Sequence, residues 1–567
     1  MSRSLASRPF RSLSPFLLGL LLGTTAVPHG ARAASDLLFL SEDVPAGLDA
    51  DGPSAAIPTS QTGIVNILDP LFGYAAGGVN AEGVAHPDFN KIAGLLAESW
   101  EYDPKALTWT VHLRKGVKSC AGNTLTADDV IYTFARAKSV SGAAPIGWFL
   151  GSVGSIAGFT TAVFKDKSAR ALGDAVTKID DTTVRFKQSG PNSLFLPALT
   201  TFGMVIYDHT EMQKHATAAD PWSHDYANNV NAVGFGAYCV ERWSKNNEIV
   251  LRANPDYYRG KPAIDRIIMK KVPQSSNRVV ILRSGQAQLV EHLTPREYSS
   301  LRGAPGITVA GISGNEATFL HMNFTTKPFD NIKLRQAIAY AVPYDQIIKT
   351  GYFGQAKKWN GVVPSSYPGY HEAPTQYTHD PAKAAALLAE AGYPKGAGLD
   401  KYADAFRLSY VAEKEATLGP VATVIETALK EVGIPVTLDP IPQTQYGDRQ
   451  LVKKDLPFAI NDQEKPIAVD AGYAMLLFFV STEQGGLNNM VNYKSAKVDA
   501  LWAKARNETD PAARLAELAE AQDQLMADVT WLPLVEYKTQ WAFSSKLHGI
   551  SWQPDNSVRF FDLRYAP

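Results

Sequence analysis

Cysteine is nearly absent from this chain: only Cys120 and Cys239 occur in 567 residues. Without a C-x-x-C spacing there is no cysteine-built metal centre or thioredoxin-type redox motif. An excess of one charge is missing too. Lys and Arg number 55 against 56 Asp and Glu, a formal net charge of −1, so there is no electrostatic footprint for nucleic acid. No apolar run reaches the ~18 residues of a membrane span. The usual catalytic signatures are also lacking: no G-x-S-x-G elbow, no H-E-x-x-H, no phosphate-binding G-x-x-x-x-G-K-[ST] and no G-x-G-x-x-G after a strand. The eleven histidines are scattered. The densest set, His209, His215 and His224, lacks the i, i+3 or i+4 spacing that would put two on one helix face, and reads as surface histidines. Composition therefore points away from an enzyme and implies no cofactor and no metal.

What is present begins with the N-terminus. Arg3, Arg8 and Arg11 precede a short apolar run over residues 16–23, and Ala31-Arg32-Ala33 forms an A-x-A site. These are the three parts of a secretory signal. Cleavage is expected after Ala33, releasing a soluble protein into a periplasm. No cysteine follows the site to take a lipid. Removing residues 1–33 takes four arginines and no acid, so the formal charge falls from −1 to −5. The 534 residues left exceed the ~250–300 at which one core stops growing, so at least two domains are expected.

Several helices are marked by their ends. Asp380-Pro381 opens a run with Ala384, Leu387, Leu388 and Ala391 on one stripe, and Gly392 closes it. Asp510-Pro511 opens another, and Thr126 with Asp129 forms a capping box. Residues 406–411 read as a strand, 418–432 as a helix stopped by Gly433, and 434–438 as the next strand. That is a βαβ unit, whose two strands should lie parallel. Residues 108–113, 183–187 and 248–252 read as short strands. No internal repeat and no low-complexity linker is present, so the domains should be joined by strands instead of a tether.

Three blocks carry a family resemblance. Residues 95–139 read LLAESWEYDPKALTWTVHLRKGVKSCAGNTLTADDVIYTFARAKS, residues 234–285 contain GFGAYCVERW and NPDYYRGKP, and residues 320–348 read LHMNFTTKPFDNIKLRQAIAYAVPYDQII. In order and content these resemble the extracellular solute-binding proteins, family 5, of ABC importers. The resemblance implies an α/β, two-lobed periplasmic-binding-protein fold of type II, in the large cluster with an extra subdomain. It also implies a discontinuous lobe I, read as residues 34–312, lobe II as 313–534, and a return to lobe I over 535–567, with crossings near 311–314 and 532–535. The implied function is capture of a small polar solute, a peptide or an opine- or oligosaccharide-like molecule, in the cleft. The implied partners are a permease and its ATPase, with the binding protein itself a monomer. Cys120 and Cys239 each sit in one of the two N-terminal blocks, so a disulfide is expected in the oxidising compartment; the alternative is two buried thiols.

Ten Trp, 23 Tyr and 24 Phe supply rigid walls of the kind a solute cleft needs. The aromatic candidates are Tyr74, Trp148, Phe149, Phe235, Trp359 and Tyr473, with Gln61 and Thr62 as polar companions; the plain alternative for each aromatic is core packing. Phe235 is singled out because Gly234 and Gly236 flank it in a turn that the resemblance places near the cleft. Residues 458–476, FAINDQEKPIAVDAGYAML, depart from the family pattern. Asp470 matches the second acid of that pattern, but Ile467 stands where members that bind peptides carry the Asp that neutralises the ligand's α-ammonium. Asp462 and Glu464 are nearby substitutes, and Lys465 is a carboxylate partner. An unpaired buried charge is expensive, so a peptide stands beside an opine or sugar as the expected ligand. A secreted hydrolase with paired carboxylates, or a sensory or chaperone-like relative, are the rival readings.

Overall fold

Eleven strands build one mixed sheet, and their directions decide where the functional groups fall. In chain order they are β1 (Asp36–Ser41), β2 (Tyr238–Ser244), β3 (Glu248–Ala253), β4 (Arg266–Lys271), β5 (Leu289–Glu291), β6 (Ile307–Met322), β7 (Ala356–Lys358), β8 (Arg407–Val411), β9 (Thr437–Ile441), β10 (Phe458–Asn461) and β11 (Trp531–Ser544). Across the sheet they lie β9-β8-β10-β6-β11-β5-β1-β4-β3-β2, with β7 against β11. The computed structural model describes residues 35–139, 149–157, 159, 175–482 and 487–566. The expected signal segment and Trp148 lie outside the described residues.

β1 is apolar on both faces, with Leu37, Phe39 and Leu40 buried, as suits a strand flanked by the parallel neighbours β4 and β5. β6 and β11, 16 and 14 residues long, run antiparallel through the middle of the sheet. Their register shifts between Ser313 and Ala317 and again between Thr318 and Phe319: Ser313 pairs with Lys538 and Ala317 with Glu536, so Gly314, Asn315 and Glu316 stand against Tyr537 alone. Such a bulge turns side chains out of the ladder. β5 is antiparallel to β11, and therefore β1 and β5 run with β6. β10 is antiparallel to β6 and parallel to β8. The carboxyl ends of β1 and β5 thus converge with those of β8 and β10 on the bulge.

Local signals hold where they were strong. Helices span Pro381–Glu390 and Pro511–Ala527, capped by the Asp380 and Asp510 carboxylates, and Gly392 takes φ +90° past the first of them. The Thr126–Asp129 capping box opens Ala127–Ala137. The βαβ unit is β8, helix Glu415–Glu431 and β9, and its strands are parallel. A four-stranded antiparallel sheet (Ala97–Asp103, Thr108–Leu113, Thr183–Lys187, Val176–Asp180) and a hairpin (Phe72–Val79, Ala85–Gly94) are added to the N-terminal part. The hairpin tip reaches the crossing strands: Asn80 donates to the Gly311 carbonyl (2.8 Å), and Glu82 accepts from the Gly311 amide (2.9 Å) and pairs with Lys538. Cys120 and Cys239 form a disulfide tying the loop after Thr108–Leu113 to β2.

Two large apolar clusters make the core. One, with Leu37, Phe39, Ile249, Ile267 and Trp541, packs beneath β1 to β5. The other runs from Val111 and Phe134 to Leu408, Ile425 and Phe458 around β8 and β10. Among the described residues no helix is long and apolar enough to cross a membrane.

Candidate functional site

Strand ends deliver the site. In open α/β sheets ligands bind beyond the carboxyl ends of parallel strands, and here two such edges face each other. Glu42 follows β1 directly and Glu291 closes β5, with His292 next. From the opposite edge come Lys414, three residues beyond β8, and Asp462, just past β10; Glu316 projects from the bulge in β6. His292 Nδ1 lies 3.2 Å from Glu42 Oε2 and 3.9 Å from Glu291 Oε1. Lys414 donates to both Asp462 oxygens at 2.9 Å. Lys465 pairs with Glu316 at 2.5 Å, and Glu316 also accepts from Asn556 (2.6 Å) and the Tyr537 hydroxyl (3.1 Å).

These groups feel each other strongly although water reaches them: the side chains of Glu42, His292 and Lys414 are 49%, 39% and 39% exposed. A recess between the two edges, open to solvent but ringed by protein, combines both properties, because the surrounding low-dielectric body strengthens each field. Burial opposes ionisation of Glu42, but His292, Arg278 and, across the recess, Lys414 overcome it and hold its pKa down to about 2. Burial works against a charge on His292, yet Glu291 and Glu42 push its pKa up to about 9. Burial raises the pKa of Glu291 above the ordinary range. Its side chain is almost fully buried beside the His292 ring. The hydroxyl of Ser41 lies beside it.

Arg278 shapes this edge from behind. Its buried guanidinium donates to the carbonyls of Val272 (2.6 Å), Pro273 (2.9 Å) and His292 (2.7 Å). His292 has φ +53°, a left-handed conformation that non-glycine residues rarely adopt.

The residues expected from sequence are distributed unevenly. Asp462 belongs to the recess, bound by Lys414. Asp470 caps the helix Ala471–Phe478 through the Gly472 amide (2.7 Å) and pairs with Arg514 (2.6 Å), so Asp462 and Asp470 each have their own cation. Glu464 accepts from Asn488 (2.7 Å), and burial lifts its pKa to about 7. Tyr473 is buried edge-on to Phe149, ring centres 5.6 Å apart. Tyr74 lines a cavity of about 720 Å³ together with Phe72, Thr200, Phe202 and Ile467. Its hydroxyl is buried near Thr200 and the Val469 backbone, and burial lifts its pKa to about 12. Asn315, which donates to the Pro466 carbonyl (3.3 Å) and accepts from Asn556, connects this cavity to Glu316.

Other candidates fall elsewhere. Gln61 and Thr62 are buried in the helix Pro58–Ile67 and are not among the cavity-lining side chains. Trp359 is buried with Nε1 donating to the Val363 carbonyl (3.1 Å). Phe235 is wholly buried in the core. Its flanking glycines permit close packing: a Cβ on Gly236 would stand 2.3 Å from the Ile67 carbonyl carbon. Nor are His209 and His224 plain surface histidines; they pair with Asp129 and Asp49, both at 2.7 Å. Asp49, Asp51 and His224 lie close enough to suit a metal, but the Arg136 guanidinium bridges the two aspartates from inside and supplies the cation itself.

Glu42, Glu291, His292, Glu316 and Lys414 were not singled out in the sequence. The available signal was their place, a few residues after a short apolar strand or within the bulge.

Residues 91–485 match the model of the bacterial extracellular solute-binding proteins, family 5 Middle. The dipeptide-binding protein of Escherichia coli strain K12 is 31% identical over 314 residues; the match takes in 54% of this chain and 56% of that protein, little more than half its length. Over 96% of both chains, the probable D,D-dipeptide-binding periplasmic protein DdpA of the same strain is 25% identical. Among solved structures, the ABC transporter-associated periplasmic binding protein DppA from Helicobacter pylori in complex with peptide STSA superposes with a TM-score of 0.75 at 24% identity, covering 94% of this chain and 98% of that one. This likeness shows a two-lobed α/β fold.

Proposed function

Because the chain belongs to the bacterial extracellular solute-binding proteins of family 5, we propose that it captures a small zwitterionic solute, a short peptide or an opine, and delivers it to an ABC permease and its ATPase. The observation that carries this reading is the recess where the two strand edges converge. Its N-terminal side offers Glu42 and the buried Glu291 to an ammonium. Its other side offers Lys414 to a carboxylate, with Asp462 orienting the lysine. The Escherichia coli relatives named for dipeptides support the same ligand class.

In this reading the bulged crossing of β6 and β11 is the hinge between residues 34–312, completed by 535–567, and residues 313–534. Closure is a two-state equilibrium biased by contacts from both sides. Residues 1–33 act as a removable export signal, the protein works as a periplasmic monomer, and the solute leaves chemically unchanged. Ile467 and Tyr74 line the adjoining cavity, whose wall also carries Asp69, Arg259, Asp555 and Arg559.

The test is thermal shift of the mature chain against free dipeptides, their N-acetylated and C-amidated forms, opines and oligosaccharides. A ligand at 100 times its Kd stabilises by about 2.7 kcal/mol. Free zwitterions should raise the melting temperature, and either cap should abolish most of the effect. A response to neutral sugars alone, to no class of solute, or turnover of any of them by mass spectrometry, would reject the proposal.

A further inference from the structure

The acidic edge of the recess already contains a cation. β1 and β5 are parallel and in register, Leu40 opposite Val290, so Ser41 comes level with Glu291 and Glu42 with His292 where the two strands end, and the sheet itself brings these groups together. The His292 ring bridges that gap, 3.2 Å from one carboxylate and 3.9 Å from the other. It is held there by a left-handed backbone whose carbonyl Arg278 grips. The other charged or titratable groups facing the ring are committed elsewhere or more distant. Arg278 is spent on three carbonyls, Tyr298 donates to the Gln540 carbonyl (2.7 Å), Glu297 accepts from Ser275 (2.9 Å) and Thr294, and Lys414 is bound by Asp462 across the recess.

We propose that His292, as an imidazolium, is a built-in stand-in for the ligand's ammonium: it fills the Glu42–Glu291 gap in the empty protein and yields it when an amine-bearing solute enters. This rests on the zwitterion reading above. Two cations cannot share so small a space without strong repulsion, and once the ammonium takes Glu42 and Glu291 the imidazole loses the partners that kept it charged, so with an ordinary pKa of about 6.5 against about 8 for an α-ammonium it is the ring that gives up its proton. The incoming ammonium keeps its three N–H bonds and donates them to Glu42 and Glu291. The imidazolium loses one ring proton to water and buffer and turns away. Capture therefore releases a proton, and an amine is preferred over a neutral group of the same shape because only an amine replaces what His292 supplied. A pKa of about 9 for His292 in the empty site agrees with a ring that is charged until displaced.

Site-resolved hydrogen–deuterium exchange at the histidine C2 position, followed by mass spectrometry across pH 5–10, reads the His292 midpoint in the whole mature chain. The wild type should show a midpoint near 9. Glu42→Gln and Glu291→Gln, their folding checked by melting, should each lower it by about one unit or more. A wild-type midpoint at the ordinary value near 6.5 would overturn the proposal. With alanylalanine at high concentration the wild-type midpoint should fall by at least one unit, while N-acetyl-alanylalanine leaves it in place. An unmoved midpoint with a raised melting temperature removes the stand-in alone. Midpoint and melting temperature both unmoved by alanylalanine removes the zwitterion reading and the stand-in together.

Discussion

Glu464 illustrates how much a single buried carboxyl governs. Its pKa of about 7 lies above the ordinary 4.5 because burial disfavours the charged form. The stability tied to its neutral form is therefore complete below pH 4.5 and lost as pH rises through 7. Melting temperatures measured from pH 4 to 8 should fall across that window in the wild type and fall less in Glu464→Gln. Gly236→Ala should cost ~1–3 kcal/mol in urea unfolding, since the added Cβ meets the backbone of Ile67, which cannot swing aside. The same glycine explains what was illegible at this scale. Gly-Phe-Gly read as a turn holding Phe235 open, but what approaches it is a helix about 170 residues earlier, which no local pattern reveals. Glu42 was closer to legible: an acid directly after a fully buried parallel strand stands at the functional edge of a sheet. Asp462 was found because a family pattern drew attention to its loop, but its cation, Lys414, lies 48 residues away.

Elements were read best where their ends carry their own chemistry. Asp380 and Asp510 accept from the Lys383 and Ala513 amides at 2.9 and 3.0 Å, and replacing either by Ala should cost ~1 kcal/mol by chemical denaturation. The strand after Gly433 was expected at 434–438 and begins at Thr437. The reason is the helix cap: Ile434 donates to the Leu429 carbonyl and Val436 to the Ile434 carbonyl, so these two apolar residues finish the helix before pairing starts. The disulfide closes a separation of 119 residues. In the chain-entropy model reduction should cost ~4–5 kcal/mol, which calorimetry of the native chain against a Cys120→Ser/Cys239→Ser variant will read. The bulge in β6 was invisible beforehand because register depends on the partner strand, and it is this bulge that projects Glu316 into the recess.

At the scale of the molecule, a two-lobed shell was legible from three blocks in order, while the arrangement of charge within it was not. The recess joins residues from five separated stretches of chain, and only strand directions show that their edges meet. Because the groups come from both edges, one solute touching both should hold the lobes together. The direct measurement is native mass spectrometry of the chain exported and purified from a periplasm, wild type beside Glu291→Gln/Lys414→Ala. The wild type should carry a bound guest below about 600 Da that has both an amine and a carboxylate, and the folded double variant should come through purification empty. A guest lacking either group, or the same guest retained equally by the double variant, would contradict capture at this recess.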